Sequence, residues 1–357
     1  MRSLKLLLIG TGRMAHTHAQ RFQSMPGVSV VAAVDVCRER VQQFCATHDI
    51  AHAYTDLAAA LAAHTLDAAC VVTPDSAHAP SSIRCLQEGL AVLCEKPLSD
   101  TLESSQAMVA EAEIAGVLNM VNFTYRISGA LHQAREWIDQ GRLGTLRHFE
   151  ASYRQSWLCS PYWGEWTTED AWLWRLSTAH GSTGVLGDIG IHILDFLIAG
   201  AGQGITGLHC RLQTFDKAPG NRIGEYDLDA NDSCIINAQL ENGALGVVHM
   251  SRYQTGYMND LCLSLHGTRG ALRVSTGQKG DRLSACLGED IHTQTWREIS
   301  CSAQPDTFER FISGLRGNGC GSPDFAHAGD LQLYLSRCSE SHELGRWLDC
   351  SSAAREF

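Results

Sequence analysis

The sequence contains no continuous run of about 18 apolar residues, the length that a membrane-spanning helix needs, so it predicts no transmembrane segment. Near its start, the apolar run at residues 6–9 ends in a glycine-rich turn and is too short for the core of a signal peptide. Basic clusters are also absent, and the formal net charge is −11. These absences argue against a membrane or a nucleic acid as partner.

Paired cysteines are missing as well, because the 14 cysteines include no C-x-x-C pair. Many lie in apolar, strand-like stretches, where a thiol behaves as a small buried hydrophobic group; these are Cys37, Cys70, Cys94, Cys234 and Cys262. The pattern predicts free thiols in a reducing, cytoplasmic setting and no metal site.

A glycine motif near the start carries the first functional signal. Gly10-Thr11-Gly12-Arg13-Met14-Ala15 follows an apolar strand and opens a helical pattern. This is the G-x-G-x-x-A form of the dinucleotide fingerprint, in which the pyrophosphate lies at a helix N-terminus. Asp35 ends the next apolar strand and is expected to bind the ribose hydroxyls, which favours NAD. Arg38 and Arg40 leave NADP open, since arginines can hold its 2′-phosphate.

The pattern of strands and helices divides the chain into two parts. Strands alternate with helices at first, which predicts an N-terminal Rossmann domain, a doubly wound parallel sheet in an α/β fold, over residues 1–123. Beyond it, runs such as 233–240 and 244–251 have short connections, and Asn242-Gly243 fits a hairpin turn. We expect an α+β domain with an open, mainly antiparallel sheet over residues 124–357.

Glu95-Lys96-Pro97 follows a buried strand of the first part. Ligands of open α/β sheets lie outside the carboxyl ends of the strands, which makes Lys96 a candidate active-site amine. By itself, the same tripeptide is also compatible with an ordinary surface lysine in a turn.

A second cluster is Gly187-Asp188-Ile189-Gly190-Ile191-His192-Ile193-Leu194-Asp195. On a regular helix, Asp188, His192 and Asp195 share one face. A carboxylate one turn from an imidazole can orient it and stabilise its charged form. The alternative is a structural helix with Asp188 as its N-cap.

Five tryptophans lie within residues 157–174: Trp157, Trp163, Trp166, Trp172 and Trp174. Such rings can stack on sugar rings, but aromatic residues are also enriched in cores and at subunit interfaces. The sequence leaves both interpretations open.

Together these motifs resemble the Gfo/Idh/MocA oxidoreductases, which include glucose–fructose oxidoreductase and inositol dehydrogenase. Further matches are Thr73-Pro74-Asp75-Ser76-Ala77-His78, Tyr125-Arg126, His266-Gly267-Thr268-Arg269-Gly270 and Pro323-Asp324-Phe325. The resemblance covers nearly the whole chain. It implies that Lys96 and His192 are catalytic, together with Asp188. It also implies that the bond between Lys96 and Pro97 is cis, as is typical of the family.

The resemblance also implies the remaining contacts. The cofactor would be bound by Gly10, Gly12, Arg13, Met14, Asp35, Arg38, Thr73, Pro74, His78, Glu95 and Lys96. Substrate would be bound by Lys96, Tyr125, Arg126, Trp174, Arg175, Asp188 and His192. Relatives commonly carry Asn at the position of Asp75, and the stretch around Asn122 and Thr124 also departs from the family pattern.

The resulting prediction is an NAD(P)-dependent dehydrogenase for a secondary hydroxyl of a sugar, cyclitol or sugar derivative. It would form a homodimer or homotetramer through its C-terminal sheet. Two alternatives remain open, a redox-assisted lyase or glycosidase with tightly held NAD and a non-catalytic NAD-dependent regulator.

Overall fold

The computed structural model describes residues 3–319 and 321–350. A six-stranded parallel sheet with the strand order β3-β2-β1-β4-β5-β6 forms the first part. Its strands are β1 (Leu4–Ile9), β2 (Val28–Val34), β3 (His52–Tyr54), β4 (Ala68–Val71), β5 (Ala91–Cys94) and β6 (Asn119–Val121). The helices between them are α1 (Arg13–Gln23), α2 (Arg38–His48), α3 (Leu57–Ala63), α4 (His78–Gln87) and α5 (Leu102–Ala115). The predicted doubly wound fold is confirmed.

The burial of the central strands is typical of a parallel sheet. Every residue of β4 and β5 is buried, as expected for strands that are covered on both faces. Of the helices α1 to α5, two begin with side-chain caps: Asp56 accepts from the Ala59 N–H of α3, and Thr101 accepts from the Ser104 N–H of α5.

The second part contains a nine-stranded sheet with the order β16-β15-β14-β13-β7-β12-β11-β8-β17. Its strands are β7 (Leu146–Arg154), β8 (Ile205–Gln213), β11 (Ser233–Leu240), β12 (Leu245–Ser251), β13 (Asp260–Gly267), β14 (Gly270–Thr276), β15 (Arg282–Leu287), β16 (Arg297–Ile299) and β17 (Leu348–Asp349). A separate hairpin joins β9 (Arg222–Ile223) and β10 (Tyr226–Asp227). Helices α6 (Gly129–Asp139), α7 (Asp170–Leu173), α8 (Ile191–Ala201) and α9 (Asp290–Thr293) accompany these strands.

This sheet is mainly antiparallel, as predicted, but β7 and β12 pair in parallel. Strand β11 alternates buried and exposed residues, so the described part of the chain leaves one face of the sheet uncovered there. The predicted hairpin between β11 and β12 is confirmed, and Gly243 adopts φ = +82° in its turn.

The chain forms two compact units, which do not follow a single cut at residue 123. The first comprises Met1–Thr124 with Pro305–Gln332, and the second comprises Tyr125–Gln304 with Leu333–Phe357. The return segment contributes α10 (Thr307–Leu315), whose Phe308, Phe311 and Ile312 are buried in the core of the parallel sheet. The last helix is α11 (Phe325–Leu344).

Every cysteine that the structure describes is a free thiol. Within residues 3–319 and 321–350, no cluster of three or more His, Cys, Asp or Glu side chains is arranged to hold a metal ion. The helices of this part of the chain include none with the length and apolar character that crossing a bilayer requires.

Candidate active site

The turn between β1 and α1 has the backbone geometry that its glycines predict. Gly10 adopts φ = +91°, and a Cβ there would lie 2.5 Å from the carbonyl oxygen of Val72. A larger residue would therefore be both strained and in collision. A Cβ on Gly12 would meet no described atom within 4 Å. Gly12 therefore leaves open space at a helix N-terminus, where a pyrophosphate can approach the backbone.

Asp35 directly follows β2, and the protein binds both of its carboxylate oxygens. Oδ2 accepts from the Thr11 N–H at 2.9 Å and the Thr11 hydroxyl at 2.8 Å. Oδ1 accepts from the Cys37 N–H at 2.9 Å and the Arg40 guanidinium at 2.9 Å. Burial raises the pKa of Asp35, but these hydrogen bonds outweigh it and lower the pKa. An ionised carboxylate therefore stands beside the glycine turn, while Arg38 is exposed to solvent.

His78 links the loop after β4 to the loop after β5. Its Nε2 lies 3.0 Å from the carbonyl oxygen of Thr73, and its Nδ1 lies 2.9 Å from that of Pro97. Carbonyl oxygens only accept, so both ring nitrogens must donate, which requires the imidazolium. Burial opposes this charge, but interactions with Cys94 and Asp75 and the bond to Pro97 raise the pKa of His78 to about 10. The ring therefore holds two loops together.

The same strand ends carry an unsatisfied polar group. The Thr73 hydroxyl is buried and has no hydrogen-bond partner in the described part of the chain. Beside it, burial raises the pKa of Asp75 against the opposing charges of His78 and Lys96. A buried hydroxyl that still needs a partner, at the carboxyl end of a parallel strand, fits a dinucleotide bound along this edge.

Glu95 forms a buried network at the end of β5. Its Oε1 lies 2.7 Å from Nε2 of His18 and accepts from Nδ2 of Asn122 at 2.7 Å. Burial would raise the pKa of Glu95, but His18 and Asn122 lower it to about 2. The Lys96–Pro97 bond is cis, which confirms the expectation from the resemblance. This network fixes the backbone from which Lys96 projects.

In the second unit, Asp188 lies on a π-helical turn, Leu186–Gly190, directly before α8. The prediction of a regular helix is therefore wrong at this point, and so is the alternative in which Asp188 is an N-cap. The wider turn changes the spacing between Asp188 and His192, and π-turns are frequent at functional sites. The fully buried guanidinium of Arg252 donates to Oδ2 of Asp188 at 3.1 Å and so holds its carboxylate.

His192 is buried near the start of α8 and faces two tyrosines. Its ring centroid lies 5.2 Å from that of Tyr125, nearly perpendicular at 88°, and 6.3 Å from that of Tyr153. The two phenol oxygens lie 2.5 Å apart. The structure therefore brings three of the predicted residues, Tyr125, Asp188 and His192, into one unit and adds Tyr153 to them.

Arg126, predicted to bind substrate, has a structural partner. Its Nε donates to Oδ2 of Asp195 at 2.9 Å and its second guanidinium nitrogen donates to Oδ1 at 2.6 Å. Such a bidentate pair is strong and geometrically specific. Asp195 is the third polar residue of the predicted helix face and lies on α8. Through this pair it anchors the segment that precedes α6.

Most of the tryptophan-rich segment is packed in the protein interior. Trp157 is buried with Leu173 and Leu176, and Trp163, Trp166 and Trp172 pack against that cluster. Trp174 differs, because 39% of its surface is exposed. The Arg175 guanidinium lies 4.4 Å from the centre of the Trp174 ring. Trp157 is thus a core residue, Trp163, Trp166 and Trp172 are partly buried against that core, and Trp174 is the most exposed of the five rings.

The sequence analysis missed four supporting residues: His18, Tyr153, Arg252 and Asn259, whose side-chain oxygen lies 2.9 Å from the Tyr153 hydroxyl. His18 could have been noticed, because it is a polar residue on the buried face of an amphipathic helix. Arg252 and Asn259 carry no such signal, since each follows or precedes a strand in a short turn.

Lys96 belongs to the first compact unit, whereas Asp188 and His192 belong to the second. Their convergence on one reacting atom, which the resemblance implies, stays a prediction.

Comparison with known proteins identifies relatives over most of the chain. Residues 4–123 match the family model described as an oxidoreductase family with an NAD-binding Rossmann fold, and residues 131–273 match the model of the GFO/IDH/MocA C-terminal domain. Together they cover well over half of the chain.

Two curated relatives are dehydrogenases by name. Levoglucosan dehydrogenase of Pseudarthrobacter phenanthrenivorans is 25% identical over 316 residues, 81% of this chain and 78% of that protein. D-Apiose dehydrogenase of Paraburkholderia graminis is 27% identical over 311 residues, 85% of this chain and 74% of that protein. A solved oxidoreductase domain protein from Kribbella flavida is 26% identical, with a TM-score of 0.85 over 99% of this chain and 100% of that one.

Proposed function

Because the chain belongs to the Gfo/Idh/MocA family of oxidoreductases, we propose that it is an NAD(P)-dependent dehydrogenase for a secondary hydroxyl of a sugar, cyclitol or sugar derivative. The observation that carries this proposal is the retention of a complete proton-transfer set, Lys96, Asp188 and His192, on a chain with an NAD-binding domain. A purely regulatory protein has no need of all three. The names of the relatives support a polyol as substrate.

In the oxidation direction, His192 takes the proton of the reacting hydroxyl, and Lys96 holds the same oxygen and can relay the proton. Asp188 binds a neighbouring hydroxyl and stabilises the charge that develops on His192. When bound, the nicotinamide supplies the hydride acceptor. Arg252 keeps the Asp188 carboxylate in place. Arg126, which its pair with Asp195 positions, would bind the substrate together with Tyr125. Trp174 and Arg175 would cover an apolar face of the sugar.

The cofactor would be held by the open turn at Gly10 and Gly12, by the first residues of α1 and α2, and by groups that follow strands. The helix residues are Arg13, Met14 and Arg38, and the groups after strands are Asp35, Thr73, Pro74, Glu95 and Lys96. The ionised Asp35 favours NAD, because a carboxylate repels a 2′-phosphate. Arg40, which pairs with Asp35, is a cation that could instead support NADP.

The chain would assemble through the uncovered face of its second sheet. Ile235 and Leu245 lie on that face of neighbouring strands, and each exposes 54% of its surface. We propose a homodimer or homotetramer, which analytical ultracentrifugation can test. The free thiols support a reducing, cytoplasmic location.

A panel of sugars and inositols, scored by the absorbance of reduced nicotinamide, tests the activity. We expect net reduction of NAD by at least one polyol, and at least a ~100-fold loss of turnover in Lys96→Ala and in His192→Ala. Fluorescence of bound NADH should remain in His192→Ala, because His192 is assigned no contact with the cofactor. Wild-type turnover in both would exclude the assigned roles, and product formation without net NADH release would favour the redox-assisted lyase or glycosidase.

A further inference from the structure

An ordered chain of hydrogen bonds runs through the second unit and ends at Tyr125. Trp157 Nε1 donates to Oε1 of Gln155 at 3.0 Å, and Gln155 Nε2 donates to Oδ1 of Asn259 at 2.7 Å. The Tyr153 hydroxyl lies 2.9 Å from the same Asn259 oxygen, and the Tyr125 hydroxyl lies 2.5 Å from that of Tyr153. Trp157, Gln155 and Tyr153 are all buried, so these groups depend on one another for partners.

The donor-only indole of Trp157 fixes the direction of every bond in this chain. Because indole N–H only donates, the Gln155 amide oxygen must face it and the Gln155 NH₂ must face Asn259. The Asn259 oxygen then accepts, so Tyr153 must donate to it. With its one proton committed to Asn259, Tyr153 can only accept from Tyr125. Tyr125 must therefore donate its only hydroxyl proton to the Tyr153 oxygen.

We propose that the Tyr125 oxygen is an obligate hydrogen-bond acceptor that selects a ligand hydroxyl. It can accept a hydrogen bond from the ligand, and it has no hydroxyl proton left to donate. This inference rests on the proposed polyol substrate and sharpens it. A hydroxyl meets the requirement, whereas a carbonyl, a carboxylate or a carbon–fluorine bond at the same place does not. Tyr125 would thus contribute to specificity, while Tyr153, Asn259, Gln155 and Trp157 are positioning residues.

The surroundings of Tyr125 and Tyr153 keep both phenol groups protonated. Burial, together with the charges of Asp188 and Asp260, raises the pKa of Tyr125, despite its bond to Tyr153. Burial also raises the pKa of Tyr153 well above its usual value. Neither phenol is expected to ionise near neutral pH, so the proton order persists where the enzyme works.

The first experiment needs no substrate and uses a pair of variants with the same change in charge. Asn259→Asp keeps an acceptor between Tyr153 and Gln155, whereas Gln155→Glu places a carboxylate oxygen against the Asn259 oxygen. We expect the short Tyr125–Tyr153 bond to give a downfield, slowly exchanging hydroxyl proton in the NMR spectrum of the whole protein. Loss of the resonance in Tyr125→Phe and in Tyr153→Phe assigns it. It should survive in Asn259→Asp and disappear or shift in Gln155→Glu above the pKa of the new carboxyl group.

The second experiment uses the best polyol from the activity panel and its monodeoxy and monofluoro analogues. Fluorine accepts weakly but does not donate, so at the position facing Tyr125 both analogues should raise KM by the same factor, about 10-fold, with little change in kcat. In Tyr125→Phe that discrimination should vanish, since the partner is gone. Gln155→Glu should reduce it, and Asn259→Asp should leave it in place.

The outcomes are decisive in both arms. Equal NMR behaviour of Asn259→Asp and Gln155→Glu would overturn the ordered chain, whatever the substrate is. A fluoro analogue that binds as well as the parent, with the advantage over the deoxy analogue lost in Tyr125→Phe, would show that Tyr125 donates and would refute the proposal. If no panel compound reacts, the proposed function fails, while the NMR result still decides the direction of the bonds.

Discussion

The two compact units support their candidate site residues in different ways. In the first, the supporting groups come from α1 and from the ends of adjacent parallel strands, as with His18 and Asn122 around Glu95. In the second, they come from turns at the ends of strands in the mixed sheet, as with Arg252, which follows β12 and donates to Asp188. A doubly wound sheet brings successive strand ends to one edge, whereas a mixed sheet collects side chains from strands that are not successive. Motif spacing therefore locates the first group of residues much more directly than the second.

The largest expected effect on stability tests the long-range support of the second unit. Arg126→Ala should leave the Asp195 carboxylate, whose side chain is 2% exposed, without its bidentate partner. Breaking a buried ion pair from one side costs about 3–5 kcal/mol. We expect a loss of that size in the free energy of unfolding, measured by urea denaturation.

Arg135→Ala is the matched control on the next helix. Arg135 pairs with Asp139 one turn away, and both side chains are largely exposed. Such pairs contribute only about 0.5 kcal/mol. Equal losses in the two variants would mean that the buried Asp195 carboxylate does not depend on Arg126.

The next effect concerns the first unit and its charged His78. A histidine whose folded pKa is raised from 6.5 to about 10 stabilises the fold fully below pH 6.5 and loses that contribution as the pH rises through about 10. Between pH 7 and pH 10, the loss should be roughly 3 kcal/mol, taking 1.36 kcal/mol per pKa unit.

The comparison of wild type with His78→Gln isolates this histidine from other groups that titrate in alkali. The difference in unfolding free energy between the two proteins should shrink as the pH rises from 7 to 10. A difference that stays constant would show that His78 is neutral, and that one of the two carbonyl oxygens has no donor.

These contrasts also explain which features could be predicted from the sequence. Gly10, Asp35 and Lys96 could be placed because each follows a recognisable strand, and the parallel topology fixes where strand ends meet. The π-turn under Asp188 could not, because a one-residue widening leaves the apolar pattern of the helix nearly unchanged. Asn122, a departure from the family pattern, proved to be a donor to Glu95. The polarity of the Tyr125 chain depends on Trp157, which the sequence marks only as one tryptophan among five.

The smallest expected effect separates two roles of Arg40 in the first unit. Its guanidinium is the cation in contact with Asp35, so it would either brace that carboxylate or receive a 2′-phosphate. Arg40→Ala should weaken NADPH binding by about 10-fold, the scale of one charge-assisted hydrogen bond, and leave NADH binding nearly unchanged. Fluorescence titration of both cofactors measures this ratio, with Arg135→Ala, whose exposed side chain pairs with Asp139 in the second unit, as control. An equal loss for NADH and NADPH would mean that Arg40 only braces Asp35, and that, like the partners of Glu95, it supports the site without contacting the ligand.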